Sequence, residues 1–295
     1  MRLLHLDHGR EMRGGQWQAL RLHQGLHRLG HQSLLLAPEG SRLLREAQQR
    51  DLPCDVLRPL RLGYLSRRFD IVHAHDARSH TLGALFARVP LVVSRRVAFP
   101  VRDSAASRWK YKQPALFLAV SRFVALQLRR AGIEDDRISV VYDGVPVPPE
   151  PANGAAVLAS ATLDPQKGLD LAEHAASIAG LVLEKSRNLE ADLPRARALV
   201  YLTRSEGLGS GILLGMAHGI TVIASDVDGV PELIQDGVNG ILVPNNPEAI
   251  AGAFRRINAQ LGQAARQTVI ERFSEERMVR ATLAAYERAL DRAND

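Results

Sequence analysis

Short apolar runs alternate with helix-period segments along the whole chain, a pattern that predicts an α/β protein built from two Rossmann-like domains with parallel sheets. Two further observations set the number at two. With 295 residues the chain lies where one core stops growing and divides. The stretch DGVPVPPEPANG (143–154) holds four prolines and two glycines in twelve residues, which excludes regular structure and marks an interdomain linker. The expected division is therefore 1–145 for the first domain and 146–275 for the second. Residues 276–295 form a terminal helix that packs back on the body.

In the first domain RLLHL (2–6) reads as a strand. A polar loop with Gly14 and Gly15 follows, then a helix with Leu22, Leu26 and Leu29 on one face, ended by Gly30 as a C-cap. SLLLA (33–37), DIVHAH (70–75), PLVVS (90–94), LFLAV (116–120) and ISVVY (138–142) read as buried strands, and Ser121 as the cap of a helix from Arg122. After the linker the rhythm restarts with AVLAS (156–160), LVLEKS (181–186), ALVYLT (198–203), ITVIAS (220–225) and NGILVP (239–244). From Ser274 onward, Met278, Leu283, Tyr286 and Leu290 recur at near-helical spacing.

No stretch approaches the ~20 apolar residues that span a bilayer. The opening MRLLHLDHGR is interrupted by His and Asp before it could act as a signal peptide. The single cysteine, Cys54, excludes an internal disulfide and a multi-cysteine metal site, and a cytoplasmic protein is expected. Charge is unevenly spread: residues 1–145 hold 24 Lys and Arg against 13 Asp and Glu, net +11, whereas the remainder nets −5. A basic first half suits an anionic partner such as a membrane surface, or is a solvated arginine-rich surface. Nucleic acid is not expected, because aromatic residues are only 5 % and no interleaved basic–aromatic pattern occurs.

The most specific segment is RSEGLGSGILLGMAHGITVIASDVDGVPELIQDGVNGILVP (204–244). A strand ends at Thr203, and a helix begins near Ser210 or Gly211. Between them Gly207, Gly209 and Gly211 permit close backbone approach to a ligand, and the helix N-terminus offers N–H groups to a phosphate. Glu206 stands just ahead of that helix, either as a working carboxylate or as a partner of the helix dipole. Asp226, Asp228 and Glu232 follow the next strand, as ligand contacts or as solvated acids.

This segment resembles the donor-site signature of the GT-B fold glycosyltransferases of family 4, the glycosyl transferases group 1 class, whose pattern carries Glu-x7-Glu. LHLDHGREMRGGQWQAL (4–20), FDIVHAHDARSH (69–80), LFLAVSRFV (116–124) and LDPQKGLDL (163–171) are similar to further elements of that family. The resemblance implies two domains facing a cleft that binds a nucleotide-sugar. It implies a retaining, metal-independent hexosyl transfer to a glycan or lipid-linked acceptor, in cell-envelope polysaccharide or lipopolysaccharide synthesis. Gly14 and Gly15 would approach the diphosphate and sugar, Lys167 would neutralise the leaving group, and Glu206 would face the transferred sugar. The backbone of Gly207, Gly209, Ser210 and Gly211 would hold phosphate oxygens. No cofactor or metal is implied.

Three positions depart from the family pattern. Leu214 stands where the second glutamate belongs, Thr162 where an arginine ligand of the diphosphate belongs, and Arg96, beside Arg95, where a first-domain histidine belongs. About one αβ unit is missing after Lys167, so a trimmed second domain is expected. Arg95 or Arg96 could replace the charge that Thr162 lacks. The alternative is a catalytically impaired homologue that binds a nucleotide or partner. His73, His75 and His80 could line the cleft, with His75 the candidate acceptor contact, or hold a metal. Arg95, Arg96, Arg102, Arg108, Lys110 and Lys112, with Phe99 and Trp109, form the candidate membrane-facing patch.

Overall fold

The computed structural model describes residues 1–161 and 165–294. They form two compact units, Met1–Asp143 with Glu275–Asp295, and Gly144–Ser274.

The first unit contains β1 (Arg2–Leu6), β2 (Gln32–Ala37), β3 (Cys54–Val56), β4 (Ile71–Ala74), β5 (Leu91–Arg95), β6 (Leu116–Ala119) and β7 (Ile138–Val140). Its helices are α1 (Gly14–Arg28), α2 (Arg42–Gln49), α3 (Pro59–Ser66), α4 (Ala77–Phe86), α5 (Ala105–Lys112) and α6 (Arg122–Arg130). The seven strands are parallel in the order β3-β2-β1-β4-β5-β6-β7, so the order reverses between β1 and β4. At such a reversal two loops leave in opposite directions and open a crevice at the carboxyl ends of the strands.

The second unit contains β8 (Ala156–Ser160), β9 (Glu184–Ser186), β10 (Ala196–Tyr201), β11 (Thr221–Ser225) and β12 (Ile241–Val243). Its helices are α7 (Leu169–Ile178), α8 (Leu189–Asp192), α9 (Ser210–Ala217), α10 (Pro247–Ala253) and α11 (Ala259–Arg272). This sheet has five parallel strands in the order β12-β11-β10-β8-β9. The last helix, α12 (Glu275–Asn294), belongs to the first unit.

Parallel strands covered on both faces are apolar throughout, which is why these segments were legible as runs. Three segments differ from the sequence expectation. β3 has only three residues, CDV, at a sheet edge, too short and mixed to show a period. Leu29 caps α1 and is 57 % exposed, off the face that buries Leu22 and Leu26. Of LVLEKS only Glu184–Ser186 pair, with one neighbour strand, and Val182 is 83 % exposed.

One face of the first sheet packs Leu3, Ile71, Val92, Leu116 and Leu118 against α1 and α12, with Met278, Val279 and Tyr286 buried from α12. The other face packs against α4 and α5, where the Phe117 ring stacks on Tyr111 and meets His80 edge-on. Toward the carboxyl ends the first face turns polar. His5 and His73 are register partners on β1 and β4, and His75 follows. The His5 Nδ1 and His75 Nε2 atoms share a hydrogen bond of 2.9 Å. His73 Nδ1 meets the Tyr286 hydroxyl at 2.6 Å and its Nε2 meets Ser94 Oγ at 2.8 Å. The terminal helix is thus fastened to the sheet by its one buried phenol as well as by apolar contact.

Burial holds His5, His73 and His75 well below the ordinary histidine range. It also lowers His23 to about 4 and His80 to about 3. These five imidazoles are neutral in the folded chain, but the unfolded chain protonates them near pH 6.5. Their folded values are depressed, so their contribution is complete above about pH 6.5 and is lost as pH falls. Each removes up to about 1.4 kcal/mol per pH unit. The melting temperature should therefore be flat above about pH 6.5 and fall steeply below it. Melts followed by circular dichroism will test this, and an unchanged midpoint well below pH 6 would contradict the buried, neutral cluster.

Candidate active site

In the second unit the chain leaves β10 at Tyr201 and enters a loop, residues 202–209, before α9. A closed ring of hydrogen bonds holds the root of this loop. Thr203 N donates to Ser225 Oγ (2.9 Å), Ser225 Oγ donates to Asn245 Oδ1 (2.6 Å), and Asn245 Nδ2 donates to Thr203 O (2.9 Å). The carboxyl ends of β10, β11 and β12 are therefore tied together where the loop departs. Next, Ser205 Oγ (2.5 Å) and Glu206 N (3.0 Å) both donate to Asp228 Oδ2, and Gly229 N donates to Glu206 O. Asp228 makes these bonds with φ of 48°, a left-handed conformation costly for a side chain other than glycine. It is thus neither a solvated acid nor displayed as a free carboxylate; it sets the backbone of Glu206.

Glu206 in turn is closed against two side chains. Lys167 Nζ donates to Glu206 Oε2 (2.6 Å) and to the Tyr201 hydroxyl (3.1 Å), and that hydroxyl donates to Glu206 Oε2 (3.0 Å). Lys167 arrives from a 3-10 turn, Pro165–Lys167, fixed to the loop by Arg204 N donating to Gln166 O. Lys167 and Glu206 are 27 % and 17 % exposed, half-buried enough for their attraction to be weakly screened. Burial opposes the Lys167 charge, yet Tyr201 and Glu206 outweigh it and raise the ammonium above its ordinary value. Burial, followed by the Glu206 charge, raises Tyr201, so its hydroxyl stays protonated and can donate. The ammonium has three protons. Two are taken here, and the third has no protein acceptor among the described residues.

α9 begins beside this triangle. Gly209, at φ of 111°, turns the chain into the helix, and a Cβ there would lie 2.8 Å from Ile212 Cδ1. Gly211 also serves packing: a Cβ there would lie 2.6 Å from Tyr201 Cε2. The first turn of α9, with Ser210 and Gly211, thus lies against the ring whose hydroxyl joins Lys167 and Glu206. Leu214, one turn on, is 9 % exposed within the apolar body of the helix. Thr162 lies outside the described residues. Tyr201 has no marker as a working residue in the sequence, where it reads as strand, and Asp228 reads as a ligand contact or a solvated acid. An aromatic closing a strand just before a Gly-rich loop was the available signal.

The first unit carries a second polar group at its strand reversal. Asp7 follows β1; its Oδ1 accepts from Gly9 N (2.7 Å), and Gln16 Nε2 donates to both carboxylate oxygens (3.1 Å). Burial, with Asp76 nearby, raises Asp7 to about 6. Asp76 caps α4 through Arg78 N and Ser79 N and also accepts from His8 N, clamping the loop after β1. Gly14 and Gly15 open α1, and a Cβ on Gly15 would be 3.9 Å from Arg96 Cδ. Arg96 Nε donates to Asp143 Oδ1 at 3.0 Å, the two side chains being 15 % and 10 % exposed. A small cavity of about 10 Å³, about one water in size, lies among His73, Ser94, Arg96 and Asp143.

Arg95 and Arg96 point to opposite faces, as strand neighbours must. Arg95 donates to the Tyr111 hydroxyl (2.7 Å) and to Phe99 O, and so is a packing residue. Within the expected surface patch Arg95, Arg96 and Lys110 are turned inward, Lys110 donating to Ala77 O and Thr81 Oγ1. Arg102, Arg108 and Lys112 are exposed, with Phe99 and Trp109. His75 is buried against His5, and His80 Nε2 donates to Lys110 O, away from the other two. Ligand atoms of His5, His73 and His75 lie within 4.8 Å of one another. Both His73 nitrogens, however, are engaged by Tyr286 and Ser94, and His5 and His75 bond each other.

Residues 12–147 match the family described as Glycosyltransferase Family 4, and residues 154–260 match Glycosyl transferases group 1. A D-inositol 3-phosphate glycosyltransferase of Acidothermus cellulolyticus is 26 % identical over 266 residues, covering 64 % of this chain. The chain spans 59 % of that relative's length. Among solved structures, Anabaena HepE in complex with UDP and glucose superposes with a TM-score of 0.84 at 15 % identity, covering 97 % of this chain and 99 % of that one. The lipopolysaccharide outer core galactosyltransferase WaaB superposes with a TM-score of 0.69 at 16 % identity and the same coverage. At these identities the superpositions show the fold.

The packing at Gly211 yields a test with its own control. Gly211→Ala forces a methyl into the Tyr201 ring and should cost roughly 1–3 kcal/mol. Gly252→Ala, on α10 with nothing within 4 Å of its Cβ, should instead stabilise by roughly 0.4–1 kcal/mol. Urea unfolding of both variants will show it. Equal shifts of the same sign would mean that Gly211 and the ring are not in contact.

Proposed function

The chain belongs to the GT-B glycosyltransferases, its first half to family 4 and its second to the group 1 class, and on that membership we propose that it transfers a hexosyl group from a nucleotide-sugar to a glycan or lipid-linked acceptor. The observation that carries this reading is the closed contact of Lys167, Tyr201 and Glu206 beside the first turn of α9. In the transfer the bond from the sugar's anomeric carbon to the diphosphate oxygen breaks, and a bond to an acceptor hydroxyl oxygen forms with retention. The nucleoside diphosphate leaves with the bonding pair, and its oxygen takes up the acceptor's proton.

Charge therefore grows on the leaving oxygen. The third proton of Lys167 and the N–H groups of Ser210 and Gly211 are suited to meet it. Glu206, its backbone held by Asp228, is suited to accept hydrogen bonds from sugar hydroxyls. This arrangement supplies positive charge without a metal, as the metal-independent reading requires. One structural neighbour, HepE, is in complex with UDP and glucose, and another, WaaB, is a lipopolysaccharide outer core galactosyltransferase, which supports a UDP-sugar donor and an envelope role. A cytoplasmic enzyme in peripheral contact with the anionic inner face of the cytoplasmic membrane agrees with the net +11 of residues 1–145.

A second reading is favoured by Leu214. A buried leucine offers no hydrogen bond to ribose hydroxyls, so a homologue that binds nucleotide weakly and does not turn over is the competitor.

Thermal-shift screening against UDP-, GDP-, ADP- and CMP-sugars should reveal one donor class that raises the melting temperature. With that donor, Lys167→Ala and Glu206→Ala should each lower turnover by roughly 10²–10³, as loss of a preorganised group at developing charge does. Both variants should remain folded. Near-wild-type turnover in both would refute the assigned site, while donor binding without any transfer in wild type would select the impaired homologue.

A further inference from the structure

On the face of the first sheet opposite α12, α3 and α4 pack side by side, and their outward residues are unusual for a solvated surface. Leu60 is 93 % exposed and Tyr64 68 %, and at this spacing they share one face of α3. Leu85 on α4 is 50 % exposed. Around them Arg58, Arg61, Arg67, Arg68, Arg78 and Arg88 are all exposed. Residues 57–69 and 77–88 contain these six arginines and no acid.

Several surface arginines elsewhere on this chain have an acid beside them: Arg2 has Asp70, Arg50 has Glu46, Arg129 has Asp135 and Arg292 has Asp136. None of the six on α3 and α4 forms an ion pair among the described residues. Arg68 instead lies over the Tyr64 ring, 5.1 Å from its centroid, and donates to its hydroxyl. The two acids nearest in sequence are already engaged, Asp70 by Arg2 and Asp76 by the start of α4. Unneutralised like charge around protruding apolar groups is unfavourable in water. It becomes favourable where an anionic, partly apolar surface meets it.

We infer that the α3–α4 face is the surface by which this protein docks on an anionic lipid bilayer. Leu60 and Leu85 enter the acyl boundary, Tyr64 sits at headgroup depth, and the six guanidiniums meet lipid phosphates. The face continues onto neighbouring α5, whose Arg108, Trp109 and Lys112 are exposed. No helix among the described residues is long and apolar enough to cross a membrane, so this contact would be peripheral. The inference rests on the proposed membrane contact and assigns it to particular residues, none of them in the candidate active site.

The test is co-sedimentation of the full chain with phosphatidylcholine vesicles, with and without phosphatidylglycerol, at low and high salt. Binding should require phosphatidylglycerol and weaken with salt. Each basic residue near an anionic leaflet contributes about 1 kcal/mol, so Arg58→Gln, Arg61→Gln and Arg67→Gln together should lower partitioning on the order of a hundredfold. Leu60→Ser with Tyr64→Ser should also weaken binding, but leave its salt dependence unchanged. Melting curves and donor-sugar calorimetry on the same proteins should match wild type, and the calorimetry reports separately on the transferase reading. Equal partitioning into neutral and anionic vesicles would overturn the inference. So would triple-variant binding equal to wild type, or tighter binding to duplex DNA than to anionic vesicles.

Discussion

Burying part of an ion pair costs more in lost hydration than the attraction returns unless every remaining donor and acceptor is met. The Lys167–Glu206 contact at 2.6 Å imposes that condition on the second unit, and much of the local architecture answers it. Tyr201 must end β10 where its hydroxyl can both accept from Lys167 and donate to Glu206. Residue 211 must lack a side chain so that the Tyr201 ring can lie against α9. Asp228 adopts a strained φ to hold the Glu206 amide, and the Thr203–Ser225–Asn245 ring fixes the strand ends from which these groups depart. A ligand oxygen arriving at Lys167 would meet a charge already oriented, which is the condition for electrostatic catalysis.

The first unit solves a different problem with neutral groups. A run of histidines on the buried face of β1 and β4 would be untenable if charged, and desolvation keeps them uncharged. Both His73 nitrogens are met, by Ser94 and by Tyr286 of a helix 213 residues further along the chain, and His5 bonds His75, while His5 Nε2 and His75 Nδ1 have no partner among the described residues. This explains why α12 returns to the first unit: its apolar face completes the core, and its phenol satisfies His73. Asp7 and the Arg96–Asp143 pair then mark the point where the sheet's polar rim begins.

The surface shows the same economy of charge in reverse. Several arginines at element ends have an acid beside them, whereas the stretches 57–69 and 77–88 carry six arginines and no acid. Net charge alone could not separate a generally basic domain from one with a localised face. The exposure of Leu60 and Tyr64 between those arginines makes the distinction.

Sequence alone determined the βα rhythm, the family resemblance and the choice of Lys167 and Glu206 as candidates, because these are local: apolar runs and glycines at a strand–helix junction. Continuous apolar runs report burial on both faces of a parallel sheet. What tertiary structure decided were matters of direction and company. Arg95 and Arg96 are adjacent letters that a strand sends to opposite faces, one to Tyr111 and one to Asp143. Gly211 reads as room for a phosphate, and the fold shows that it also makes room for the Tyr201 ring. Asp228 reads as a ligand contact or a solvated acid, and the fold makes it the support of the Glu206 backbone. Tyr286 read as one apolar position in a helix and became the partner of a histidine in β4. Each of these depends on which distant residue packing brings within 3 Å, and no local period in a sequence encodes that distance.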